Sequence, residues 1–559
     1  MTEARPSFWL RPGFWRWMAR LLVAGGLLLV SLVVWLLISP PSLAPVRGEI
    51  QSWLSQKLDR SVAFDELTWT WRQGLKVRVS GVEAGSGGLS VAQVRVGVAA
   101  VPLLWGEVRP QGLTLKGLRL VIERRADGRL FAGGFYVNPD RNRIFPVLAR
   151  FQRFRIRDGT LIWRDQQPAE PASLALRDWD VTISREGQTH GVTLSGRVAE
   201  GRVGVEGRLD HFDQGPGGWR GMVEVTGSAL PVAALTPYLG PDGPRHVAGK
   251  LAVDAALEGG LGGELSVAGH LRLDEAGGRW PQKLGAPVTG GSLRSRFHWQ
   301  RGEARSSLAL EDSRLAHGDA AIRGSGRLEW GAAVAEPRVE ATARVAAAEV
   351  AAWRPLFAVL PGGLRDWLDR ALPAGRLAGG EVVVRGPLAR FPYPDGGGQF
   401  HVELDLAGLT LDYHPRWPAL HDLDGTLTLD RTRLALRAEA GRLLQTPVSE
   451  LRATIHDLAG DPPELRLQGA VALMLSEGVR FLEASPLQEE GFLGPAALTG
   501  PARLELGLTL PLEAEPKADV FGQLALQGAR FQARPDTPAL EGVSGRITFS
   551  GKTIDSEAL

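Results

Sequence analysis

Cysteine is absent from the 559-residue chain, so disulfide bridges, thiolate nucleophiles and cysteine-ligated zinc are excluded. An excess of charge of one sign is also missing, because 64 Lys and Arg residues face 62 Asp and Glu residues and leave a net charge of +2. Such a balance provides no strong field for the phosphates of nucleic acid. The sequence therefore predicts neither thiol chemistry nor a nucleic-acid partner.

Familiar catalytic fingerprints are missing as well. The chain has no zinc-protease pair of histidines spaced by a glutamate, no serine nucleophile elbow and no dinucleotide-binding glycine pattern. Gly551, Lys552 and Thr553 resemble the end of a phosphate-binding loop, but the glycine required five positions earlier is Arg546. The sequence predicts that the protein is not an enzyme and uses no cofactor or metal ion.

One polar stretch is the best candidate for metal or acid–base chemistry, because His414 and His421 lie there among several acids. Pro415 forces His414 into an extended conformation, and short acids such as Asp422 and Asp424 support tight turns by bonding to nearby backbone. We interpret the stretch as a polar turn between two strands, with a metal site as the alternative.

Long hydrophobic runs are rare, since residues 21–38 form the one uncharged aliphatic stretch long enough to span a membrane. At 1.5 Å per residue, such a helix reaches about 27 Å, close to the roughly 30 Å hydrocarbon core of a bilayer. Four arginines precede the run, so the positive-inside rule keeps the N-terminus cytoplasmic and sends the rest of the chain across the membrane. The predicted anchor residues are Leu21, Leu22, Leu27, Leu28, Leu29, Leu32, Trp35, Leu36, Leu37 and Ile38.

A cleaved signal peptide is the alternative interpretation of this run. The run is long for a signal peptide, and its small-residue cleavage site, Ser42-Leu43-Ala44, is followed by Pro45. We therefore predict an uncleaved, single-pass anchor.

Beyond the anchor, apolar residues recur with a period of two, as in residues 112–122, 425–430 and 503–510. These runs follow one another roughly every 10–15 residues, separated by Gly, Asp-Gly or Pro, which is typical of antiparallel hairpins. Residues 353–375 instead carry apolar residues at helical spacing. The predicted fold class is mainly β: a single N-terminal transmembrane helix, then a long antiparallel sheet with a few short amphipathic helices.

A resemblance to a known family supports this fold. Residues 39–71 and 120–134 resemble the opening of the AsmA-like proteins of Gram-negative envelopes, and residues 364–420 are similar to their YhdP branch. The resemblance implies an inner-membrane anchor, a periplasmic body and a sheet curled into a U-shaped groove, whose apolar interior conducts phospholipids between the inner and outer membranes. Members of this branch are longer, so we expect the groove to be incomplete at Leu559.

The resulting division of the chain has six parts. They are a cytoplasmic tail (1–20), the transmembrane helix (21–38), a juxtamembrane amphipathic helix (39–60), the first part of a periplasmic β-groove (61–350), a helical insertion (351–375) and the continuing groove (376–559). The predicted partners are phospholipid in the groove, the inner membrane, and an outer-membrane or periplasmic protein.

The predicted groove lining consists of apolar residues that share one face of their strands. They are Leu118, Leu120, Ile122, Leu251, Val253, Leu427, Leu429, Leu504, Leu506 and Leu508. The pattern alone does not tell which face points inward, and two sheets packed as a sandwich would show the same alternation. Two functional alternatives also stay open: a structural or assembly factor for outer-membrane biogenesis, and an envelope glycan hydrolase.

Overall fold

The computed structural model describes most of the chain from Arg47 onward. The described ranges are 47–58, 61–71, 75–84, 88–99, 109–137, 144–167, 171–234, 245–260, 262–279, 288–357, 368–458, 462–485, 497–512, 519–532, 536–551 and 553–557, together with residues 20, 23–28, 30, 31, 102, 105, 107, 460 and 534.

These residues form two compact units. Unit 1 comprises Met1–Thr226 and Gly260–Gly262, and unit 2 comprises Gly227–Gly259 and Gly263–Leu559. Unit 1 contains helices α1 (Arg47–Leu58) and α2 (Ile144–Leu148), and unit 2 contains α3 (Val350–Phe357) and α4 (Leu475–Glu483). Strands form nearly everything else.

The strands of unit 1 are β1 (Val62–Ala63), β2 (Glu66–Trp71), β3 (Leu75–Ala84), β4 (Leu89–Val98), β5 (Pro110–Arg124), β6 (Leu130–Ala132), β7 (Phe135–Val137), β8 (Arg153–Asp165), β9 (Ala172–Glu186), β10 (Thr189–Val198) and β11 (Gly201–Asp210). Strand β12 (Arg220–Pro231) contains the division between the units. From β2 to β11, the long strands pair antiparallel in chain order, except that β5 pairs with β8 in parallel.

This parallel pair departs from the predicted all-antiparallel sheet. A parallel pair needs a crossover connection, since a tight hairpin reverses the chain. The β6–β7 hairpin and α2 lie in the connection between β5 and β8. The sequence prediction was wrong here because each strand's own alternation carries no information on the direction of its neighbour.

Unit 2 contains β13 (Arg245–Gly260), β14 (Leu265–Arg279), β15 (Val288–Arg301), β16 (Ser306–His317), β17 (Ala320–Trp330), β18 (Arg338–Val345), β19 (Ala348–Glu349), β20 (Ala374–Pro387), β21 (Gln399–Leu411), β22 (Leu420–Asp430), β23 (Arg433–Leu443), β24 (Thr446–Ile455), β25 (Glu464–Met474), β26 (Ala497–Thr499), β27 (Pro501–Pro511), β28 (Asp519–Gln532), β29 (Leu540–Ser550) and β30 (Thr553–Glu557). Successive long strands pair antiparallel from β13 to β30. The mainly β prediction is therefore confirmed, and the strands form an open sheet.

The predicted N-terminal anchor falls largely outside the described residues. Of its ten residues only Leu27 and Leu28 are described; both are helical, with 66% and 70% of their surface exposed. Among the described residues, none of the helices combines the length and the apolar character that a membrane crossing requires.

The predicted helices are found in part. Helix α1 lies within the predicted segment 39–60. Helix α3 and the helical residues 368–371 lie at the predicted insertion, whose middle, 358–367, is outside the described residues.

Bulges with a left-handed residue interrupt many of the strands. The residues with positive φ include Asp158 (53°), Asp178 (50°), Gly408 (57°) and Asp422 (51°), and the pairing register shifts near each of them. A bulge adds one residue to a strand, bends it and strengthens its twist. Because of the extra residue, the apolar residues of one face have odd numbers on one side of the bulge and even numbers on the other side.

The same hydrogen bond recurs at three of these bulges. The bulge amide donates to a side-chain oxygen on the next strand: Asp158 N to Asp180 Oδ1 at 3.0 Å, Gly408 N to Asp424 Oδ1 at 2.8 Å, and Gly528 N to Ser544 Oγ at 2.9 Å. In each case the acceptor lies two residues after the positive-φ residue of its own strand. The contact satisfies an amide that the strand ladder leaves without a partner at the bulge.

A buried ion pair fixes the far end of the parallel pair. Arg124 and Asp165 are register partners at the ends of β5 and β8. Asp165 is fully buried; its Oδ1 accepts from Arg124 Nε at 2.8 Å and from Gln167 N at 3.0 Å, and its Oδ2 accepts from Arg124 Nη2. Fork-like pairing of this kind is the geometry in which guanidinium and carboxylate bind most strongly.

We expect Asp165→Asn to lower the free energy of unfolding by roughly 3 kcal/mol, because it leaves the partly buried Arg124 guanidinium without its counter-charge. Chemical denaturation followed by circular dichroism measures the change. The control is Asp127→Asn, which removes a carboxylate from an exposed ion pair with Arg129 and should change the midpoint little. Equal losses in the two variants would contradict the role given to the buried pair.

We expect Asp424→Ala to destabilise unit 2 by about 1 kcal/mol, because the Gly408 amide loses its acceptor. Asp424→Asn should lose less, since the amide oxygen still accepts. Glu439→Ala, at an exposed position on β23, is the matched control in the same denaturation experiment. If the control lost as much stability as Asp424→Ala, the bulge hydrogen bond would not be the cause of the loss.

Candidate functional site

The candidate site is a row of apolar side chains that crosses the strands of each unit. Register partners on neighbouring strands lie on the same face of a sheet. In unit 1 the partners form the unit 1 row: Leu67, Val79, Val94, Leu115, Ile156, Val181, Leu194 and Val205. This row crosses β2, β3, β4, β5, β8, β9, β10 and β11 without a polar residue.

In unit 2 the corresponding row is longer. The unit 2 row consists of Leu251, Leu273, Leu293, Leu315, Ile322, Val345, Gly380, Leu404, Leu427, Leu436, Ala453, Leu467, Leu508 and Val520. It crosses fourteen strands, and Gly380 is its one member without an apolar side chain. At about 4.8 Å per strand, the row extends for about 60 Å along the ladder.

The residues predicted from sequence fall on these apolar faces. Leu251, Leu427 and Leu508 are members of the unit 2 row. The other predicted residues of unit 2 lie on the same side of their strands at positions two or four residues away: Val253, Leu429, Leu504 and Leu506. In unit 1, Leu118 and Leu120 pack in the cluster that includes Leu115 of the row, and Ile122 pairs with Trp163 of β8.

Both rows are only partly covered. Eleven of the fourteen members of the unit 2 row are partly buried, and Val345, Leu436 and Leu508 are buried. In unit 1, six of the eight members are partly buried, and Ile156 and Val181 are buried. An apolar face in this state retains accessible surface that a ligand or another layer of protein can still remove from water.

The hydrophobic clusters distinguish an open sheet from a sandwich. In a sandwich, each cluster would join residues from strands of two facing sheets. The largest cluster of unit 2 instead joins neighbouring strands of one ladder, from β20 to β25, with Val350 of α3. The cluster of unit 1 likewise joins β3, β4, β5, β8, β9 and β10 with Leu148 of α2. Among the described residues, the clusters favour an open sheet.

Local covers lie over the unit 2 row near its end. Trp417, in the turn between β21 and β22, is 8% exposed and packs against Leu508 together with Phe481 and Leu482 of α4. This contact explains why Leu508 is among the buried members of the row. The contact of Trp417 with a strand ninety residues away leaves no local signal in the sequence.

The polar stretch around His414 forms the predicted turn and strand. His414 Nδ1 accepts a hydrogen bond from the Arg416 amide at 3.2 Å, and burial, with Arg416 and Arg370 nearby, lowers the pKa of its imidazole. His421 lies in β22, Asp422 pairs with Arg442, and Asp424 holds the Gly408 bulge. Asp422 and Asp424 thus have structural partners.

The described residues bring together no group of three or more histidine, aspartate or glutamate side chains able to hold a metal ion. Both units present an apolar face on one side of their strands and a charged face on the other.

Two comparisons with known proteins give matches to this chain. The family model described as YhdP protein matches residues 258–559, which is more than half of the chain and most of unit 2. The intermembrane phospholipid transporter YhdP of Escherichia coli (strain K12) is 26% identical over 211 residues, which cover 37% of this chain and 16% of that protein. No solved structure gives a significant match.

The aligned segment therefore represents about a sixth of the length of the curated relative. The family match nevertheless covers β14 to β30, and so nearly all of the unit 2 row. On the extent of that match, the chain belongs to the YhdP family.

Proposed function

We propose that this protein conducts phospholipids between the inner and outer membranes along the apolar rows of its two units. The observation that carries the proposal is the unit 2 row, which is apolar across fourteen strands and partly open. The curated relative is named as an intermembrane phospholipid transporter, which supports the same cargo for this chain.

The physical basis is the cost of exposing acyl chains to water. Each methylene costs about 0.8 kcal/mol in water, so a lipid with two acyl chains meets a prohibitive barrier between membranes. A face whose apolar residues follow one another at about 4.8 Å lowers this barrier at every step. Headgroups stay in water, because the sheet covers the acyl chains from one side only.

The proposal assigns the ten predicted lining residues to this path, inside a U-shaped curl of the sheet. Residues 21–38 anchor the chain in the inner membrane with the N-terminus in the cytoplasm, and the body lies in the periplasm. The four arginines before the apolar run and the run's own length support this orientation. A protein at the outer membrane or in the periplasm is the proposed partner at the far end.

Transport of this kind requires no catalytic residue. The apolar rows offer no nucleophile, acid or base to a bound lipid, so the role proposed for them is conduction and not catalysis. The apolar rows also impose no direction on the movement of lipid. Net flux then follows the difference in lipid chemical potential between the two membranes.

Photo-crosslinking tests which face carries lipid. We expect a photoreactive amino acid at Leu404 or Leu467, on the unit 2 row, to capture phospholipid in cells. The matched controls are Glu403 and Gln468, which are the adjacent residues on the opposite face and are exposed. Capture should be at least tenfold higher at the leucine positions, because acyl chains avoid the charged face. Equal capture on both faces, or capture at the controls alone, would refute the assignment.

A charge placed on the row tests whether lipid must pass it. We expect Leu427→Glu to reduce the transfer of a fluorescent phospholipid between donor and acceptor vesicles several-fold, since an unpaired charge beside acyl chains is costly. Thr426→Glu places the same charge one residue away, on the opposite face, and should transfer lipid at the normal rate. Circular dichroism checks that both variants fold. Undiminished transfer by folded Leu427→Glu would count against the path.

A further inference from the structure

The charged face of unit 2 carries a row of arginines that lipid conduction does not use. Register pairing places five of them directly opposite one another on five consecutive strands. The arginine row consists of Arg272, Arg294, Arg314, Arg323 and Arg344, on β14, β15, β16, β17 and β18. All five side chains are exposed. The residues next to them in sequence belong to the unit 2 row, so the two rows lie back to back across the sheet.

This arrangement is costly for the isolated protein. Like charges directly opposite on neighbouring strands destabilise a sheet, and the row contains four such pairs. Arg272 has a partner, Asp274, at 2.6 Å. Within the described part of the chain, Arg294, Arg314, Arg323 and Arg344 have no recorded ion pair.

Two acids on the same face are engaged with arginines outside the row. Glu340 pairs with Arg385 at 3.3 Å, and Glu329 pairs with Arg327 at 3.8 Å. Neither of these two acids therefore pairs with the arginine row. Beyond Arg344 the row changes sign, because its next partners are Glu381 and Glu403.

The surface under the row leaves room for a partner. Arg314, Arg323 and Arg344 line an open depression of about 510 Å³ together with small residues such as Ser325, and the acids Asp312 and Glu381 also line it. Small side chains beside the row, such as Ser325 and Thr342, leave this depression open to a partner. Guanidinium groups bind carboxylates through two parallel hydrogen bonds.

From this geometry we propose that the arginine row docks an acidic helix of a partner protein, laid across β14 to β18. Five strands at about 4.8 Å place the outer arginines about 19 Å apart. Glutamates at positions i, i+4, i+7, i+11 and i+14 of a helix span about 21 Å along one face. A single acidic helix face thus matches the row one carboxylate to one guanidinium.

A membrane surface fits these observations less well. Membranes attract clusters of basic residues through their summed charge, whereas this face interleaves acids with the row. Acids such as Glu329 and Glu340 lower the summed charge that a bilayer would sense. A helix with matching spacing instead contacts the arginines individually. The change of sign at Glu381 would also orient such a partner.

The test measures binding of the full-length chain in detergent to a labelled 21-residue helical peptide with glutamates at i, i+4, i+7, i+11 and i+14. The control peptide has the same composition with the glutamates distributed around the helix. We expect the aligned peptide to bind at least fivefold more tightly than the control peptide.

The double variant Arg314→Gln and Arg323→Gln should bind the aligned peptide at least tenfold more weakly than the original chain. The control variant is Arg546→Gln, at an exposed arginine on β29, and it should bind the peptide within twofold of the original chain.

A second measurement separates docking from structure. Because Arg314→Gln removes repulsion across two strand pairs, its unfolding midpoint should stay unchanged or rise while binding falls. Equal binding of both peptides, or unchanged binding by the double variant, would overturn the proposal. Arginine-dependent binding to vesicles with 30% phosphatidylglycerol, without binding of the aligned peptide, would also overturn it and identify a membrane contact. These outcomes do not depend on whether the opposite face conducts lipid.

Discussion

The constraint that governs this molecule is register: apolar side chains alternate with polar ones along each strand, and neighbouring strands must pair so that the alternation coincides. A slip of one residue would turn a strand's apolar residues toward the charged face. A bulge is therefore compatible with the sheet only where the pairing with the next strand shifts by the same extra residue. At Asp158, Gly408 and Gly528 a side chain on the next strand accepts the amide that the bulge releases, and the apolar face continues past the interruption.

The alternation of apolar and polar residues thus gives the sheet two faces of different chemical character. The unit 2 row is apolar over fourteen strands, and the arginine row stands directly behind its first part. Lipid acyl chains and a carboxylate-bearing partner would be kept apart by the thickness of a single sheet. The two faces gain free energy from binding in different ways. The apolar face is stabilised when its surface is removed from water, whereas the arginine row is stabilised by negative charge placed opposite it.

Features local to one strand could be predicted from sequence, and features that join distant strands could not. The alternation at Leu427 and Leu504 marks strands and their apolar side without further information. The arginine row was invisible, because its members are separated by irregular intervals of 9 to 22 residues and meet only through pairing. The parallel pairing of β5 with β8, the burial of Asp165 and the contact of Trp417 with Leu508 depend on the same long-range register.

The most direct test of the central claim is a cryo-electron microscopy map of the full-length chain purified from bacterial membranes. The account predicts elongated, acyl-chain-like density lying along the unit 2 row from Leu251 to Leu467, with the arginine face free of it. A second layer of protein from the same chain packed over that row, or lipid density on the arginine face instead, would contradict the account.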